Sequence, residues 1–552
     1  MHDISVLIGG RAGDGINSAG AIVAQLFNQL GYRIYMYFDY PSLIRGGHNF
    51  TIIRAAEMDI GACRDHVDFV LALNRETVER HRGMFAPDTV IISNADLVKD
   101  AGTGIPVGAI LKQEDAPAIM GNSAIIGGFA KAAGIDWKNL ESVFRSHIPK
   151  GTEKNLAVAR RAYDQVDTKR SVERGAHPPL PLMSGNESVG FGLILGGLEA
   201  YVSYPMTPSS GILHFLAEQK EKFGLTVVHP ENEIAVILMA LGFAYAGKKS
   251  AVGTSGGGFC LITEGLSLAG MAEIPLVLAI SQRTGPSTGL PTYTGQSELR
   301  FILHAGQGEF PRLIVAPGDT RESVYWSAVA MKMAWEYQIP AFILVDKTLS
   351  EGTYSTDLAS LPGGPPAPAV LSQWDNQLPY KRYANTSGGV SPLAFPGMKD
   401  AVVKVNSYVH EEDGITSEDG DVTVRMTQKR MYKEEQIRRI MQEYPAVGLG
   451  GIPDAKTALV SWGSTKGVCS EVALRLGLRG VRPIVLTPFP EEQMKRALTG
   501  VQRIIFVEEN ATAQLAGIAA AYGIHADDTI LRYDGRPFTF EELLGRVEEV
   551  VK

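Results

Sequence analysis

Short apolar runs alternate with longer stretches of helical periodicity through most of this 552-residue chain. The runs are rich in β-branched residues and end at glycine, proline or a charge, which is typical of buried strands. They are ISVLIGG, FVLAL, TVIIS, SAVGT, IPLVLAI, RLIVA, AFILVD, TALVSWG, RPIVLT and RIIFVEE. Because helical patterns separate many of these runs, the sequence predicts an α/β fold with mainly parallel sheets.

Two segments interrupt this rhythm and indicate domain boundaries. The charged and then proline-rich stretch VDTKRSVERGAHPPLPLM predicts a linker over 166–184, and LPGGPPAPA indicates a second connection after residue 360. We therefore expect three domains, at 1–165, 185–360 and 375–552. This division agrees with the usual size of about 150 residues per domain.

Composition and charge narrow the class of protein. The chain is 45% hydrophobic and 20% charged, with a net charge of −8 and no long basic run, so we expect no nucleic-acid partner. It has no uninterrupted apolar window of about 18 residues, so we expect no membrane span. The first residues lack the basic region of a signal peptide, and we expect a cytoplasmic protein.

Cysteine usage limits the redox chemistry that the chain itself can perform. Cys63, Cys260 and Cys469 lie far apart in the sequence, and an iron–sulfur cluster usually takes a set of four thiolates. We therefore expect a reduced protein in which any redox metal belongs to another chain.

A glycine-rich turn stands between the first predicted strand and helix, in LIGGRAGDGINSAGAIVAQLF. Gly13 and Gly15, with Gly9 and Gly10 before them, would free backbone N–H groups at a helix N-terminus, a geometry that suits phosphate. The turn has neither the dinucleotide fingerprint nor the Gly-Lys-Ser/Thr of a P-loop, so a turn without a ligand is an equal alternative.

A second turn in the first domain, PSLIRGGHNF, contains Arg45 and Gly46. It is flexible and cationic, which suits an anionic ligand. Its simpler interpretation is a surface loop.

The middle domain contains HPENEIAVILMALGFAYAG, an almost wholly apolar segment that begins with two carboxylates. Apolar residues on every side predict a helix that is buried all round. Pro230 suits the first turn, and Glu231 and Glu233 suit the positive end of the helix dipole. Taken alone, both acids are most simply capping residues.

Polar residues follow other predicted strands of the middle domain. Thr207 and Ser209 lie in SYPMTPSSG, and Arg283, Ser287 and Thr288 lie in SQRTGPSTGLPTYTGQSEL. The turn TSGGGF follows a third strand. Because open α/β sheets bind ligands at the carboxyl ends of their strands, these turns predict a binding site.

These segments resemble the alpha subunit of the thiamine-diphosphate-dependent 2-oxoacid:ferredoxin oxidoreductases, most closely chains with a fused amino-terminal gamma domain, as in 2-oxoglutarate:ferredoxin oxidoreductase. GGRAGDG and RGG resemble the gamma domain, and YPMTPSS, ENEIA, TSGGGF and QRTGPSTGLPT resemble the pyrimidine-binding domain. WGST, TPFP and VEENATAQ resemble the transketolase C-terminal-like domain. The resemblance spans essentially the whole chain, with the motifs in the family's order.

The resemblance implies roles for individual residues. Glu233 matches the family's cofactor-activating glutamate, which hydrogen-bonds the aminopyrimidine ring and favours its imino tautomer, whereas Glu231 remains a capping residue. Arg283 matches an arginine that pairs with the substrate carboxylate, and Thr207 matches a residue beside that group. The other residues carried over are Ser209, Ser287 and Thr288 for the substrate, and Pro205, Ser255 and Gly256 for thiamine diphosphate.

The resemblance also implies a reaction. The family decarboxylates a 2-oxoacid oxidatively, forms an acyl-coenzyme A and reduces ferredoxin. The motifs favour 2-oxoglutarate, with pyruvate or a branched-chain 2-oxoacid as the alternative substrate. From another class, the alternative is a non-catalytic regulatory protein that binds coenzyme A or a nucleotide, but such a protein has no reason to keep Glu233, Thr207 and Arg283 together.

The cofactors implied by the family are divided between two chains. The beta subunit carries the diphosphate site, Mg²⁺ and at least one [4Fe–4S] cluster, so we expect a beta partner in an (alpha–beta)₂ assembly. The GDG at 13–15 can begin a thiamine-diphosphate and magnesium motif, but YPSLIRGG lacks the asparagine that would complete it, and we expect no metal site in this chain. Coenzyme A is then a candidate ligand of Gly13, Gly15, Arg45 and Gly46.

Two residues depart from the family's motifs. Gly295, in TYTGQ, replaces an acid that related chains often carry, and this departure bears on substrate choice. Ala513, in VEENATAQ, stands where glycine is usual, and we expect an effect on packing alone.

Overall fold

The computed structural model describes residues 3–41, 47–362, 364 and 366–552. The chain divides into two compact units. The first unit comprises Met1–Met183, Gly352–Asp357 and Phe538–Lys552, and the second comprises Ser184–Glu351 and Leu358–Pro537. No helix in the described part of the chain is long and apolar enough to cross a membrane.

The first unit contains a sheet flanked by helices. Its strands are β1 (Asp3–Arg11), β2 (Arg33–Asp39), β3 (His48–Ala56), β4 (Val67–Ala72), β5 (Phe85–Asn94), β6 (Thr103–Ile105), β7 (Leu182–Ser184) and β14 (Thr353–Ser355). Its helices are α1 (Ile16–Gln29), α2 (Arg75–Arg80), α3 (Val107–Gln113), α4 (Gly121–Ala132), α5 (Trp137–His147), α6 (Thr152–Tyr163) and α18 (Phe540–Val551), with 3-10 turns at Arg82–Met84 and Ala118–Met120.

The sheet of the first unit is mixed, with the strand order β6-β5-β4-β1-β3-β2-β14-β7. Strands β1, β4, β5 and β6 are parallel neighbours, whereas β3 is antiparallel to both β1 and β2. The parallel half agrees with the predicted α/β units. The antiparallel pair β2 and β3 was not predicted. Tyrosines and flanking charges interrupt the aliphatic pattern of RIYMYFD, and HNFTIIRAA mixes polar residues with apolar ones, unlike the predicted strands.

The segment predicted as a linker, 166–184, is mostly irregular and packs on the first unit. The backbone N–H of Gly175 donates to the carbonyl of Leu30 at 2.8 Å, and the Tyr32 hydroxyl donates to the carbonyl of Glu173 at 2.7 Å. Gly31 has a φ of 94°, and a Cβ there would lie 2.6 Å from the Gly175 carbonyl oxygen. Glycine is therefore required where the linker crosses the end of α1.

The second unit contains two sheets. The strands of its first part are β8 (Ala200–Val202), β9 (Thr226–Val228), β10 (Ser250–Thr254), β11 (Leu276–Gln282), β12 (Leu313–Val315) and β13 (Pro340–Asp346). The helices of that part are α7 (Gly185–Leu195), α8 (Ser210–Phe223), α9 (Glu233–Tyr245), α10 (Gly256–Ala272), α11 (Leu299–His304), α12 (Thr320–Tyr337) and α13 (Lys347–Glu351).

The later part of the second unit begins with a long helix. Its helices are α14 (Gly420–Ile440), α15 (Lys466–Leu476), α16 (Glu491–Ala497) and α17 (Gln514–Ala520), with 3-10 turns at Met441–Glu443 and Gly463–Thr465. Its strands are β15 (Val447–Gly451), β16 (Thr457–Val460), β17 (Arg479–Pro483), β18 (Val485–Thr487), β19 (Arg503–Glu508) and β20 (Asp528–Leu531).

Both sheets of the second unit are mainly parallel, as predicted. Their orders are β18-β12-β13-β11-β10-β8-β9 and β15-β17-β16-β19-β20. The prediction of one strand over RPIVLT is wrong. Its first residues end β17, and Val485–Thr487 forms β18, which pairs antiparallel with β12 in the other sheet.

Small residues bring the helices of the second unit close together. A Cβ at Gly265 on α10 would lie 2.6 Å from the Ile237 side chain on α9, so these two helices can pack at this distance because residue 265 is glycine. At the beginnings of the two helices, a Cβ at Gly258 would lie 2.5 Å from Glu233 Oε1, so their first turns also lie against each other.

The prediction that α9 is buried all round is wrong for this chain by itself. Val236, Ile237 and Ala240 are buried, whereas Ile234, Leu238 and Met239 are 52%, 47% and 45% exposed. We call the surface formed by Ile234, Leu238 and Met239 the exposed α9 face. An apolar surface of this kind marks an interaction site more often than a free surface.

Candidate active site

Four neighbouring parallel strands of the second unit end at one edge of their sheet. The order β11-β10-β8-β9 is continuous, and each pair is parallel. The turns that follow these strands carry Arg283, Ser255, Thr207 and Glu233 respectively. The predicted site residues therefore lie at the carboxyl edge, where open α/β sheets bind ligands.

Glu233 is the first residue of α9, and its neighbour Asn232 caps the helix. The Asn232 side chain accepts a hydrogen bond from the Ala235 backbone N–H at 2.9 Å. The interpretation of Glu231 as the capping acid is therefore wrong, since Glu231 is exposed and precedes the cap. A short amide side chain reaches the N–H groups of the first turn better than a glutamate one residue earlier.

The Glu233 side chain is buried, with 4% of the residue exposed. Its Oε1 atom has no hydrogen-bond partner among the described residues. Leaving a polar atom buried in this way costs about 1–3 kcal/mol. The arrangement suits a group that makes its hydrogen bond to a ligand.

The beginning of α10 lies against this carboxyl group, and glycine at 258 leaves room for it. A Cβ at Gly258 would lie 2.5 Å from Glu233 Oε1 and 2.2 Å from Thr254 Oγ1. Ser255 is also buried, and its hydroxyl has no partner in the described part of the chain. The two unsatisfied side chains, Glu233 and Ser255, fit a ligand with a hydrogen-bonding ring, such as an aminopyrimidine.

Arg283 and Thr207 lie together at the same edge. Arg283 Nη1 donates to the Thr207 carbonyl oxygen at 2.8 Å, while Nε has no partner among the described groups. Burial lowers the pKa of Arg283, against an opposing effect of Glu298. The guanidinium can still donate to a carboxylate, for which its planar fork is suited.

The remaining predicted residues of this site differ in their placement. Ser209 is buried, and its hydroxyl donates to the Met206 carbonyl at 2.8 Å, so it faces its own turn. Pro205, Ser287 and Thr288 are exposed on the loops after β8 and β11. Gly256 is the first residue of α10 and lies against the side chain of Glu298.

Glu298 lies beside the candidate site and was not predicted from the sequence. It precedes α11, and a Cβ at Gly256 would lie 2.8 Å from its Cγ and Oε1 atoms. Burial raises the pKa of Glu298 to about 7, although Ser297 and Arg283 act to lower it. The stretch QSEL gives no local signal for this burial, which depends on the distant Gly256.

The glycine turn of the first unit stands at the N-terminus of α1. Gly13 and Gly15 have φ values of 96° and 74°, and Gly15 is the N-cap residue. The prediction that Gly9 and Gly10 belong to the turn is wrong, because both are paired within β1. Arg45 and Gly46 lie outside the described residues.

A cavity of about 350 Å³ opens beside this turn. Asn122 Nδ2 donates to the Asp14 carbonyl at 2.6 Å and so fixes the turn against α4. The lining residues include Gly13, Asn94 and Gly121. Backbone N–H groups at a helix N-terminus and an adjacent cavity suit a phosphate-bearing ligand.

The two departures from the family's motifs have different structural settings. Ala513 is the N-cap residue of α17 with a φ of 46°, in the left-handed region that favours glycine. Alanine in place of glycine at 513 therefore affects the backbone conformation as well as the predicted packing. A Cβ at Gly295 would meet Thr284 at an ordinary 3.5 Å, so the backbone there has room for a larger residue.

Comparison with known proteins gives matches along the chain. A family model for pyruvate ferredoxin/flavodoxin oxidoreductase matches residues 5–165. A second model, for the thiamine diphosphate-binding domain of pyruvate flavodoxin/ferredoxin oxidoreductase, matches residues 192–429.

Named relatives extend these matches to the full length. Subunit alpha of 2-oxoacid:ferredoxin oxidoreductase 2 from Aeropyrum pernix is 31% identical, over 100% of this chain and 98% of that protein. The 2-oxoglutarate oxidoreductase subunit KorA of Mycobacterium tuberculosis is 24% identical, over 98% and 91%. A solved structure of the 2-oxoglutarate:ferredoxin oxidoreductase from Magnetococcus marinus, with 2-oxoglutarate, coenzyme A and succinyl-CoA bound, is 29% identical and covers 100% of both chains with a TM-score of 0.90.

The fold, the strand-edge site and these matches define an oxidoreductase with a thiamine diphosphate-binding domain. The chain belongs to the 2-oxoacid:ferredoxin oxidoreductase family, in which it is an alpha subunit. The family resemblance stated from the motifs is thereby confirmed. Enzymes of this family act on the oxo group of their donors, with an iron–sulfur protein as acceptor.

Proposed function

We propose that this alpha subunit takes part in the oxidative decarboxylation of 2-oxoglutarate, with coenzyme A as acyl acceptor and ferredoxin as electron acceptor. The observation that carries the proposal is the buried, unsatisfied Glu233 Oε1 beside Gly258. The choice of 2-oxoglutarate is supported by the names of the Mycobacterium tuberculosis and Magnetococcus marinus relatives. Pyruvate or a branched-chain 2-oxoacid is the alternative substrate.

The residues of this chain would hold the pyrimidine half of the cofactor and the carboxylate of the substrate. When bound, thiamine diphosphate supplies the carbanion chemistry of the reaction. Glu233 Oε1 would share a proton with a ring nitrogen of the pyrimidine, and Ser255 and Gly256 would line its other side. Arg283 would bind the substrate carboxylate beside Thr207, which fixes the oxo group in one orientation.

A beta subunit would complete this site. We place the diphosphate, Mg²⁺ and the [4Fe–4S] cluster on that partner, in an (alpha–beta)₂ assembly. The exposed α9 face supports this division, because it is apolar and begins one residue after Glu233. A partner that covers this face would also close the pyrimidine site against water.

The first unit would bind coenzyme A. The left-handed Gly13 and Gly15 at the beginning of α1, with the adjacent cavity of about 350 Å³, support a site for its phosphates. The Magnetococcus marinus relative was solved with coenzyme A and succinyl-CoA. Arg45 and Gly46 remain candidates for the same ligand from the sequence alone.

The isolated chain is expected to bind thiamine diphosphate weakly and to be colourless. It offers the pyrimidine contacts of Glu233 and Ser255, and such contacts alone offset little of the entropy lost on binding. The diphosphate needs Mg²⁺ with near-octahedral oxygen ligands, which we assign to the partner. Calorimetric titration of the purified chain with thiamine diphosphate and Mg²⁺ should give no measurable heat.

The assembled alpha and beta chains are the matched comparison. We expect the affinity for thiamine diphosphate to rise steeply in the complex, together with ferredoxin reduction by a 2-oxoacid. The same assay with 2-oxoglutarate, pyruvate and 2-oxoisovalerate identifies the substrate. Tight binding by the isolated chain, or a chain that is brown with iron, would contradict the proposed division of the site.

Replacing Arg283 by lysine is expected to raise the KM for the 2-oxoacid by roughly 10- to 150-fold, with a smaller effect on kcat. Lysine keeps the charge but loses the planar fork that binds a carboxylate through two N–H groups. A charge-assisted hydrogen bond contributes about 1.5–3 kcal/mol, from which this range follows. Steady-state kinetics of the assembled enzyme measures the change.

Arg475→Lys is the control for this prediction. Arg475 is exposed in the last turn of α15, away from the strand-edge site, and its replacement should leave KM unchanged. An unchanged KM in the Arg283 variant, for all three substrates, would remove Arg283 from the substrate site.

A further inference from the structure

Glu298 stands in the candidate active site without an assigned role. Its backbone N–H donates to Gln282 Oε1 at 3.1 Å, and its Oε1 atom accepts from Ser297 Oγ at 3.0 Å. Its Oε2 atom is buried and has no partner among the described residues. A buried carboxylate oxygen without a partner is costly while ionised and much less so while protonated.

Glu298 lies beside the beginning of α10, where Glu233 also lies. The side chain lies against Gly256, and glycine at this position leaves room for the carboxyl group. Two residues further along the same turn of α10, Gly258 leaves room for Glu233. Because both residues are glycine, the carboxyl groups of Glu298 and Glu233 can both lie against the first turn of α10.

Arg283 is the charged neighbour that bears on Glu298. The Glu298 backbone N–H is bonded to the side chain of Gln282, the residue before Arg283, and a Cβ at Gly285 would lie 3.9 Å from Glu298 Oε1, so Glu298 lies against the loop that carries Arg283. Burial raises the pKa of Glu298 and lowers that of Arg283, and each charge opposes the shift of the other. While Glu298 is ionised, its negative charge compensates the guanidinium and repels an incoming carboxylate. While Glu298 is protonated, the positive charge of Arg283 is available to the substrate.

We propose that Glu298 is a positioning residue that acts through Arg283 and couples binding of the 2-oxoacid carboxylate to the uptake of one proton from solvent. The proton is held on the Glu298 carboxyl group, whose charge changes from −1 to 0 as the substrate anion enters. The proposal rests on the proposed function, because it takes Arg283 as the residue that binds the substrate.

The charges of the groups around Glu298 decide whether a pH dependence of substrate binding can be assigned to this residue. The turn of α10 that it contacts begins with glycines and has no acidic side chain. The end of β11 contributes the neutral amide of Gln282 and the cation Arg283, and the loop contributes Gly285 and Ser297. On its own helix, Arg300 is exposed. Glu233, beside Gly258, is the other carboxyl group at this end of α10, and Arg283 is the cation whose charge acts on Glu298.

The test is the pH dependence of binding by the assembled enzyme. The probe is oxamate, a monoanion with a carbonyl group beside its carboxylate, used as a competitive inhibitor of the 2-oxoacid. Because the pKa of Glu298 is about 7, Ki should be nearly constant below neutral pH. Above it, Ki should rise by up to roughly tenfold per pH unit, since a group that must be protonated for binding imposes that dependence.

The Glu298→Gln variant should remove this dependence. Glutamine is neutral at every pH, so Ki for oxamate should stay flat and close to the low-pH value of the unaltered enzyme. Glu309→Gln is the control, because Glu309 is exposed on the loop after α11 and should leave the wild-type profile unchanged. Glu298→Asp should keep a pH-dependent Ki.

A Ki that does not vary with pH in the unaltered enzyme would overturn the proposal. A Glu298→Gln profile that rises with pH like the unaltered one would also overturn it. Should that variant fail to fold, calorimetric titration of the unaltered enzyme with oxamate, in buffers of different ionisation enthalpy, counts the protons taken up. An uptake near one at alkaline pH supports the proposal, and none overturns it. Failure of the proposed function is recognised separately, as the absence of ferredoxin reduction with every 2-oxoacid.

Discussion

Replacing Glu233 by glutamine is expected to lower the turnover of the assembled enzyme by roughly 10²–10⁴, the usual contribution of a positioned acid–base group. The buried Oε1 atom has no hydrogen-bond partner among the described residues, and glycine at 258 gives its carboxyl group room at the beginning of α10. Glutamine has nearly the same shape, so the fold should be kept. Its amide can form a hydrogen bond but cannot share a proton with a ring nitrogen. Steady-state kinetics with saturating 2-oxoacid, coenzyme A and ferredoxin measures the loss.

Glu231→Gln is the matched control for this prediction. Glu231 lies two residues earlier, is exposed, and does not cap α9. Its replacement should leave turnover within about twofold, since exposed substitutions outside a site have small effects. Near-normal turnover in the Glu233 variant would assign Glu233 a helix-dipole role and remove it from the chemistry.

The sequence predicts those parts of the fold whose signal is local. Runs of small and apolar residues such as SAVGT and AFILVD correspond to β10 and β13, because a strand covered on both faces is mostly apolar along its length. The pair β2 and β3 is not marked in this way. RPIVLT shows a further limit, since its residues belong to two sheets and no local pattern distinguishes a strand that changes partner.

The same distinction between local and long-range signals applies to the candidate site. Thr207, Ser255 and Arg283 could be placed at a strand edge because each follows a predicted strand. The burial of Glu298 could not, because it depends on Gly256, which is distant in sequence. The exposed α9 face is a third case. Its apolar residues predict burial, and this prediction holds only if another subunit of the assembly covers them.

A buried ionic cluster in the second unit carries a large expected effect on stability. Glu273 ends α10 in the left-handed conformation, and its carboxylate accepts from Lys429 Nζ at 2.8 Å to each oxygen. Lys433, also on α14, pairs with the same carboxylate. Arg382 donates to the Glu273 carbonyl at 2.7 Å. This cluster ties α14 to the end of α10.

The Glu273→Gln variant is expected to lose about 3–5 kcal/mol in the free energy of unfolding, because removing one partner of a buried ion pair leaves uncompensated charge. Here the uncompensated charges are those of two buried lysines. Chemical denaturation of the full chain measures the loss. Glu435→Gln is the control, because Glu435 pairs with Arg439 on the exposed side of the same helix, and an exposed pair contributes about 0–1 kcal/mol.

The loss of unfolding free energy in the Glu273→Gln variant should become smaller as the pH rises. Burial acts to raise the pKa of Glu273, but Lys429 and Lys433 outweigh it and hold the pKa well below its usual range. Burial lowers the pKa of Lys433 to about 7, against the attraction of Glu273, and also lowers the pKa of Lys429. Between about pH 7 and the ordinary lysine pKa of 10.5, the unfolded chain therefore binds more protons at Lys433 than the folded one. That contribution to stability increases with pH.

In the variant, the pKa of both lysines falls further because the carboxylate no longer favours their charged forms. The folded variant then binds fewer protons than the folded wild type, so its deficit decreases with rising pH. Unfolding measured near pH 6 and near pH 9 should show the larger deficit at the lower pH. An equal deficit at both values would indicate that Glu273 acts through its packing at the end of α10, and that the charge of its carboxylate is not what holds α14 in place.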